Sequence, residues 1–269
     1  MARMSRRTWP FLGVAGAVAL SSALLTPAAG GLATGPPVLQ APPIVGGQPA
    51  SIAQHPWMVY LTDAQGNQLC GGAIGAPDKV VTAGHCVLGE KPENVQVVAG
   101  RERLDGKDGT VARVTGIWVH PKYQDANSGS DVAVLTLDQQ LPQPPLPVAS
   151  GQDTALYQPG TPSMVLGWGK TAENGQSSNE LRMGELQVLA DQECTKAYKE
   201  QYKADSMACA GVPGGGVDAC QGDSGGPLVA GDRLIGLVSW GDGCARPESP
   251  GVYTRIAAFH DDIQAQLGT

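Results

Sequence analysis

From residue 52 to the carboxyl end, short apolar runs alternate with clusters of Gly, Pro, Asn and Asp. The runs at 58–61, 79–82, 95–99, 111–119, 132–137, 164–166, 186–189, 228–229 and 234–239 read as short strands. Many short strands punctuated at close spacing predict an all-β sandwich or barrel. The stretch 141–147 (LPQPPLP) reads as an extended linker between two similar halves, 44–147 and 148–269. The last segment departs from this pattern. Ile256, Phe259, Ile263 and Leu267 recur at three- and four-residue steps, which predicts one buried face of a closing helix.

The amino-terminal residues follow another pattern. Arg3, Arg6 and Arg7 precede an apolar stretch over 11–25, and the small residues Ala28, Ala29 and Gly30 follow it. This is the layout of a secretory signal over 1–30. The apolar stretch is shorter than the ~20 residues that span a bilayer, and Gly13 and Gly16 weaken it further. Removal on export is therefore expected, leaving a secreted protein with no membrane association. Ser5-Arg6-Arg7 resembles a twin-arginine signal that Pro10 interrupts, so the export route stays open. Residues 31–43 are charge-free and rich in Pro, Gly and Ala, as expected of a propeptide that leaves Ile44 as the mature terminus.

Composition narrows the classes. With 37 Gly and 21 Pro in 269 residues, a mostly helical protein is disfavoured. The net charge is −7, and removal of residues 1–43 takes three more positive charges. No basic cluster follows Arg7, so no nucleic-acid partner is expected. Cys70, Cys86, Cys194, Cys209, Cys220 and Cys244 all lie behind the export signal. That even count favours three disulfides and leaves the pairing open. A zinc site is disfavoured, because no Cys-x-x-Cys pair exists and His85 abuts Cys86.

Candidate chemistry concentrates in Gly222-Asp223-Ser224-Gly225-Gly226-Pro227. Flanking glycines permit a tight turn and close substrate approach, but a serine nucleophile needs a base. Of the four histidines, His55, His85, His120 and His260, the second is mounted most rigidly, after a predicted strand and beside a cysteine. Asp131 heads the apolar run 132–135 and can orient an imidazole. Gly222-x-Ser224-x-Gly226 also fits the nucleophile elbow of α/β-hydrolases. That esterase alternative needs an acid and then a histidine after the serine, and only His260 follows.

Taken together, these motifs resemble the trypsin/chymotrypsin family of serine endopeptidases. The resemblance extends to Ile44-Val45-Gly46-Gly47, Gly167-Trp168-Gly169, Ser239-Trp240-Gly241 and Pro250-Gly251-Val252-Tyr253. Gly215-Gly216-Val217-Asp218 and Cys244-Ala245-Arg246-Pro247 look most like the secreted trypsins of actinobacteria. Gly84 departs from the pattern, since the family more often has Ala there. The resemblance implies two six-stranded antiparallel β-barrels with a C-terminal α-helix. It implies disulfides 70–86, 194–209 and 220–244, and a catalytic triad of Ser224, His85 and Asp131. It further implies an oxyanion hole from the N–H groups of Gly222 and Ser224. Asp218 would floor a primary specificity pocket with Ala219, Ser239, Trp240, Gly241 and Gly251, and cutting after Arg, preferred, or Lys is expected. Asp223 would pair with the new Ile44 amine in a zymogen activated by a separate protease, because an enzyme selective for Lys or Arg should not cut after Pro43. Partners are expected to be protein or peptide substrates and protein inhibitors of proteases. A monomer without cofactor or metal is expected, although Glu102, Asp105 and Asp108 lie where some trypsins carry a calcium loop. The remaining alternative is a binding relative without activity, disfavoured because all three triad residues stand.

Overall fold

The structure is a computed structural model and describes residues 44–268. The expected signal and propeptide, residues 1–43, lie outside the described residues. The strands are β1 (Gln48–Pro49), β2 (Met58–Thr62), β3 (Gln68–Ala76), β4 (Lys79–Thr82), β5 (Gln96–Ala99), β6 (Thr110–Val119) and β7 (Ala133–Leu137). After the linker come β8 (Pro162–Gly167), β9 (Arg182–Val188), helix α1 (Asp191–Tyr198), β10 (Met207–Gly211), β11 (Pro227–Ala230), β12 (Arg233–Trp240) and β13 (Gly251–Arg255). A helical turn over Ile256–Phe259 leads into α2 (His260–Leu267).

The first barrel closes in the order β2-β3-β4-β7-β6-β5, with β5 returning to β2. The second runs β9-β10-β13-β12-β11-β8 and closes through β8–β9, with β1 added on the outside of β9. All pairings between these strands are antiparallel, so the α/β-hydrolase alternative, which needs a parallel sheet flanked by helices, is excluded. Side-chain alternation along each strand decides what it buries. In β2, Val59 and Leu61 enter the first barrel's core with Ile74, Val97 and Leu135. Met58 and Tyr60, on the other face, pack against Leu166, Trp168 and Leu181 of the second half. The sheet is thus buried on both sides, which is why the strand carries no polar face.

Four strands escaped the apolar pattern: the two-residue β1, and β3, β10 and β13. In β3 the reason is its glycines. A Cβ at Gly71 would lie 2.9 Å from Gly226 Cα, and one at Gly75 would lie 2.9 Å from Leu267 Cδ2. The strand is poor in side chains because the second barrel and the last helix press against it. Strands β10 (MACAG) and β13 (GVYTR) are short and mixed. Helix α1 was likewise unmarked; its eight residues bury only Cys194 and Tyr198. Disulfides join Cys70 to Cys86, Cys194 to Cys209 and Cys220 to Cys244, closing loops of 16, 15 and 24 residues.

Both ends of the described chain pack on the opposite half. Ile44 is fully buried among Val165, Leu228 and Tyr253 of the second barrel. Ile263 and Leu267 of α2 lie with Ala73, Val81 and Val134 of the first. The expected amphipathic face is therefore real: Ile256, Phe259, Ile263 and Leu267 are all buried. Ile263→Ala is expected to cost about 2–5 kcal/mol, because the cavity it leaves lies between two elements that cannot close on it. A urea midpoint shift below that range would show that the helix end repacks.

Candidate active site

Ser224 sits on the turn between β10 and β11, and the turn's shape follows from its glycines. Gly222 and Gly225 have φ of 98° and 73°, a region that disfavours any side chain. A Cβ on Gly225 would lie 2.3 Å from Thr82 Oγ1 and 2.7 Å from Gly71 O. The serine turn thus lies flat against the end of β4, whose next turn, Gly84–Cys86, carries His85. Gly71 N donates to Ser224 O at 2.7 Å, and Gln68 Nε2 donates to Gly222 O at 3.0 Å. Gly225 N and Gly226 N donate to Val238 O and Asp223 O, both at 2.8 Å. The N–H groups of Gly222 and Ser224 have no acceptor among the described residues.

Asp131 is 1% exposed. Its Oδ1 accepts His85 N and its Oδ2 approaches His85 Nδ1, each at 2.8 Å. Ser239 Oγ donates to the same Oδ2 at 2.6 Å, and Thr254 Oγ1 donates to the Asp131 carbonyl at 2.6 Å. With Asp131 accepting at Nδ1, the imidazole is left with Nε2 as its acceptor nitrogen. Sequence reasoning assigned Ser239 to substrate binding alone and missed Thr254 and Gln68. All three act through pairings of distant segments, which no local spacing signals. The remaining histidines go elsewhere. His120 Nε2 faces Asp262, His260 Nδ1 faces Ala149 O, and His55 stacks edgewise on Trp57.

Beside Ser224 opens a cavity of about 190 Å³ lined by Asp218, Ala219, Ser239, Trp240, Gly241 and Gly251, so the structure gathers the predicted pocket residues in one place. A Cβ at Gly251 would meet Asp218 Oδ1 at 2.8 Å, whereas one at Gly241 would make only an ordinary contact, with Gly243 O at 3.8 Å. Asp218 Oδ2 accepts Ala245 N at 3.0 Å, while Oδ1 is buried without a partner among the described residues. Burial pushes this carboxyl up to about 6, against the weaker pull of the Ala245 and Ala219 N–H groups.

Asp223 is completely buried. Oδ1 accepts Gly169 N at 2.8 Å and Oδ2 accepts Cys220 N at 2.9 Å. A Cβ at Gly167 or Gly169 would lie 2.0 Å or 2.5 Å from this carboxylate, which explains the glycines around Trp168. Burial pushes Asp223 up to about 7, more than the two N–H groups pull it down. The start of the described chain reaches the same region, since Asp218 N donates to Val45 O at 3.0 Å.

Two acids of the possible calcium loop are otherwise engaged: Glu102 Oε2 accepts Ile52 N and Asp105 pairs with Arg103. Asp108 is held through its backbone carbonyl, which accepts Arg101 Nε. Among the described residues, one cluster brings three potential ligand groups together, Cys70, His85 and Cys86, and both its sulfurs are spent in a disulfide.

A family model for trypsin matches residues 44–263. A trypsin of Saccharopolyspora erythraea is 49% identical over 224 residues, covering 83% of this chain and 98% of that protein. Trypsin eta of Drosophila melanogaster is 41% identical over 201 residues, 74% of this chain and 77% of its own. The vitellin-degrading protease of Bombyx mori is 37% identical over 234 residues, with coverages of 83% and 85%.

The raised Asp218 carboxyl has a consequence for stability. It ionises near 3.8 when unfolded and at about 6 in the fold. Its contribution is thus complete below about pH 4 and is lost as pH rises through about 6. In a Ser224→Ala background, Asp218→Asn should add roughly 1–3 kcal/mol near neutral pH and little at about pH 4. Urea titrations at both pH values check this, and an equal gain at both would mean that ionisation is not the cause.

Proposed function

The chain belongs to the trypsin family of serine endopeptidases, and we propose that it cleaves protein chains after Arg, and less readily after Lys, through Ser224, His85 and Asp131. In this reading Ser224 Oγ attacks the scissile carbonyl while His85 Nε2 takes its proton. The proton then passes to the leaving amine, and water releases the acyl group by the same route in reverse. Asp131 holds the Nδ1 tautomer and stabilises the imidazolium. The unpartnered N–H groups of Gly222 and Ser224 are the donors available to the developing oxyanion, where losing one donor costs roughly 2.7–4 kcal/mol.

The observation that carries the specificity is the lone Asp218 Oδ1, buried in the cavity that Ser224 borders. A buried carboxylate without a cation is unstable, and a substrate guanidinium or ammonium supplies one. Arg can meet a carboxylate with two parallel N–H donors, whereas the Lys ammonium relies on neighbouring hydroxyls. Ala219 offers none.

Activation follows from Asp223. We infer that cleavage before Ile44 creates an amine that pairs with this carboxylate, and breaking such a buried pair costs roughly 3–5 kcal/mol. The Val45–Asp218 hydrogen bond then connects the new terminus to the pocket floor. The residue preceding Ile44 is Pro43, so a separate protease is needed for maturation. The signal pattern at 1–30 supports export, and among the described residues no helix is long and apolar enough to cross a membrane. The mature enzyme is read as a secreted monomer that needs no cofactor and is open to protein inhibitors of the cleft.

Two measurements test this. Matched peptide substrates should give a higher kcat/KM for Arg than for Lys, with Ala219→Ser narrowing the gap; equal values would remove the role given to Ala219. Purified precursor, incubated alone, should keep its Pro43–Ile44 bond, and spontaneous appearance of the Ile44 terminus would refute the need for a second protease.

A further inference from the structure

Resting on the chemistry proposed above for Ser224, we infer that Gln68 is a positioning residue for the two oxyanion donors, acting through its side-chain hydrogen bond to the Gly222 carbonyl. The Gly222 and Ser224 N–H groups belong to two peptide units of one turn. In the first unit the Gln221 carbonyl accepts Lys170 N, and in the second the Asp223 carbonyl accepts Gly226 N, both at 2.8 Å. Each donor is thus aimed by a backbone bond at the far end of its own unit. Between them lies the unit made of the Gly222 carbonyl and the Asp223 N–H. Its N–H donates to Cys220 O at 3.0 Å, and its carbonyl accepts Gln68 Nε2 at 3.0 Å. Of these four bonds, that of Gln68 alone comes from a side chain.

The central unit governs both neighbours. A peptide unit swings about its flanking Cα atoms, and such a swing changes ψ of Gly222 and φ of Asp223. Gly222, at φ 98°, has no side chain to resist it. Asp223 cannot follow, because Gly169 N and Cys220 N hold its carboxylate. The displacement therefore falls on Gly222, whose N–H is one of the donors. An oxyanion hole works only when its donors are aimed before the charge develops.

The first barrel presents Gln68 to this turn by a defined route. In the hairpin before β3, Asp63 Oδ1 accepts Gln65 N and Asn67 N at 2.9 and 2.8 Å, and Oδ2 accepts Asn67 Nδ2 at 2.8 Å. The register between β2 and β3 then shifts at Leu61 and Thr62, so that Thr62 faces Gln68. Such a bulge re-aims a side chain. Three residues on, Gly71 N donates to Ser224 O at 2.7 Å. One end of β3 thus grips the carbonyls of both donor residues, Gly71 by its backbone and Gln68 by its amide.

The test uses the mature enzyme and an Arg peptide methyl ester, which has no residue beyond the scissile bond for Gln68 to touch. In Gln68→Leu, kcat/KM should fall roughly 10- to 100-fold, less than the roughly 100- to 1,000-fold of losing a donor outright. Gln68→Glu, which turns a carboxylate toward the Gly222 carbonyl, should fall at least as far. Gln68→Lys restores an N–H donor and should recover most of the loss. A peptide aldehyde ending in Arg adds Ser224 Oγ to its carbonyl carbon as the hydroxyl proton passes to His85, leaving an oxyanion on the same donors. Its affinity should fall in step with kcat/KM. Benzamidine, an amidinium without an acyl group, should bind every variant within about twofold of wild type, since it makes no use of the hole. Equal kcat/KM in wild type and Gln68→Leu overturns the inference, as does Gln68→Lys no better than Gln68→Glu. The Glu and Lys pair keeps the test valid where the Leu chain fails to fold. Benzamidine affinity that falls as far as kcat/KM also overturns it, since Gln68 would then support the pocket as a whole. A wild-type enzyme that neither cleaves the Arg ester nor binds benzamidine overturns the reading beneath it, and the inference with it.

Discussion

One buried carboxylate holds the arrangement together. Asp131 lies out of water between the two barrels, and a charge so placed is tolerated only when its oxygens are hydrogen-bonded. His85 satisfies it from the first barrel through both backbone and ring, and Ser239 satisfies it from the second. Thr254, also of the second barrel, takes the Asp131 carbonyl. These bonds form together only when the barrels sit in one mutual orientation. The cost of desolvating one acid therefore fixes how the two halves meet. Ser239 also lines the cavity beside Ser224, so the same hydroxyl ties the acid to the substrate side of the cleft.

Two other buried acids are handled differently. Asp223 is caged by backbone N–H groups and by glycines that leave room for it, yet burial still pushes its carboxyl up to about 7. Asp218 keeps one oxygen without a partner among the described residues. In the proposed chemistry each awaits a cation from outside the folded body, one a new amino terminus and the other a substrate side chain. The fold thus carries an electrostatic debt at two points 5 residues apart in sequence, and Asp218 is joined to the start of the described residues through the bond from its N–H to Val45 O.

Much of this was legible in the sequence where a local rule governs. Apolar runs bounded by turn residues marked β2 and β6, and three- and four-residue steps marked the face of α2. The glycines beside Ser224 pointed to a strained turn, and two of them adopt positive φ. The residues about the pocket were legible through family resemblance rather than through any pattern of their own. What escaped was set by contacts between distant segments. Strand β3 is glycine-rich because Gly226 and Leu267 approach it, and nothing within nine residues of QLCGGAIGA announces that. Thr254 and Gln68 look like ordinary strand residues until the partner turn is in place. The glycines at 167 and 169 matter only because Asp223, more than fifty positions later, occupies the space a methyl group would fill.

The crossed packing of the two ends bears on how the molecule is made. The first barrel packs against α2, the last of the described elements, while the first of the described residues belong to the second barrel. Neither half can complete its burial while the other is missing, so a half translated or exported ahead of its partner stays unfinished. Assembly waits on contacts of very long sequence separation, which slow folding and prolong the exposure of sticky intermediates. Splitting the gene at the linker would therefore yield two insoluble pieces rather than two small barrels.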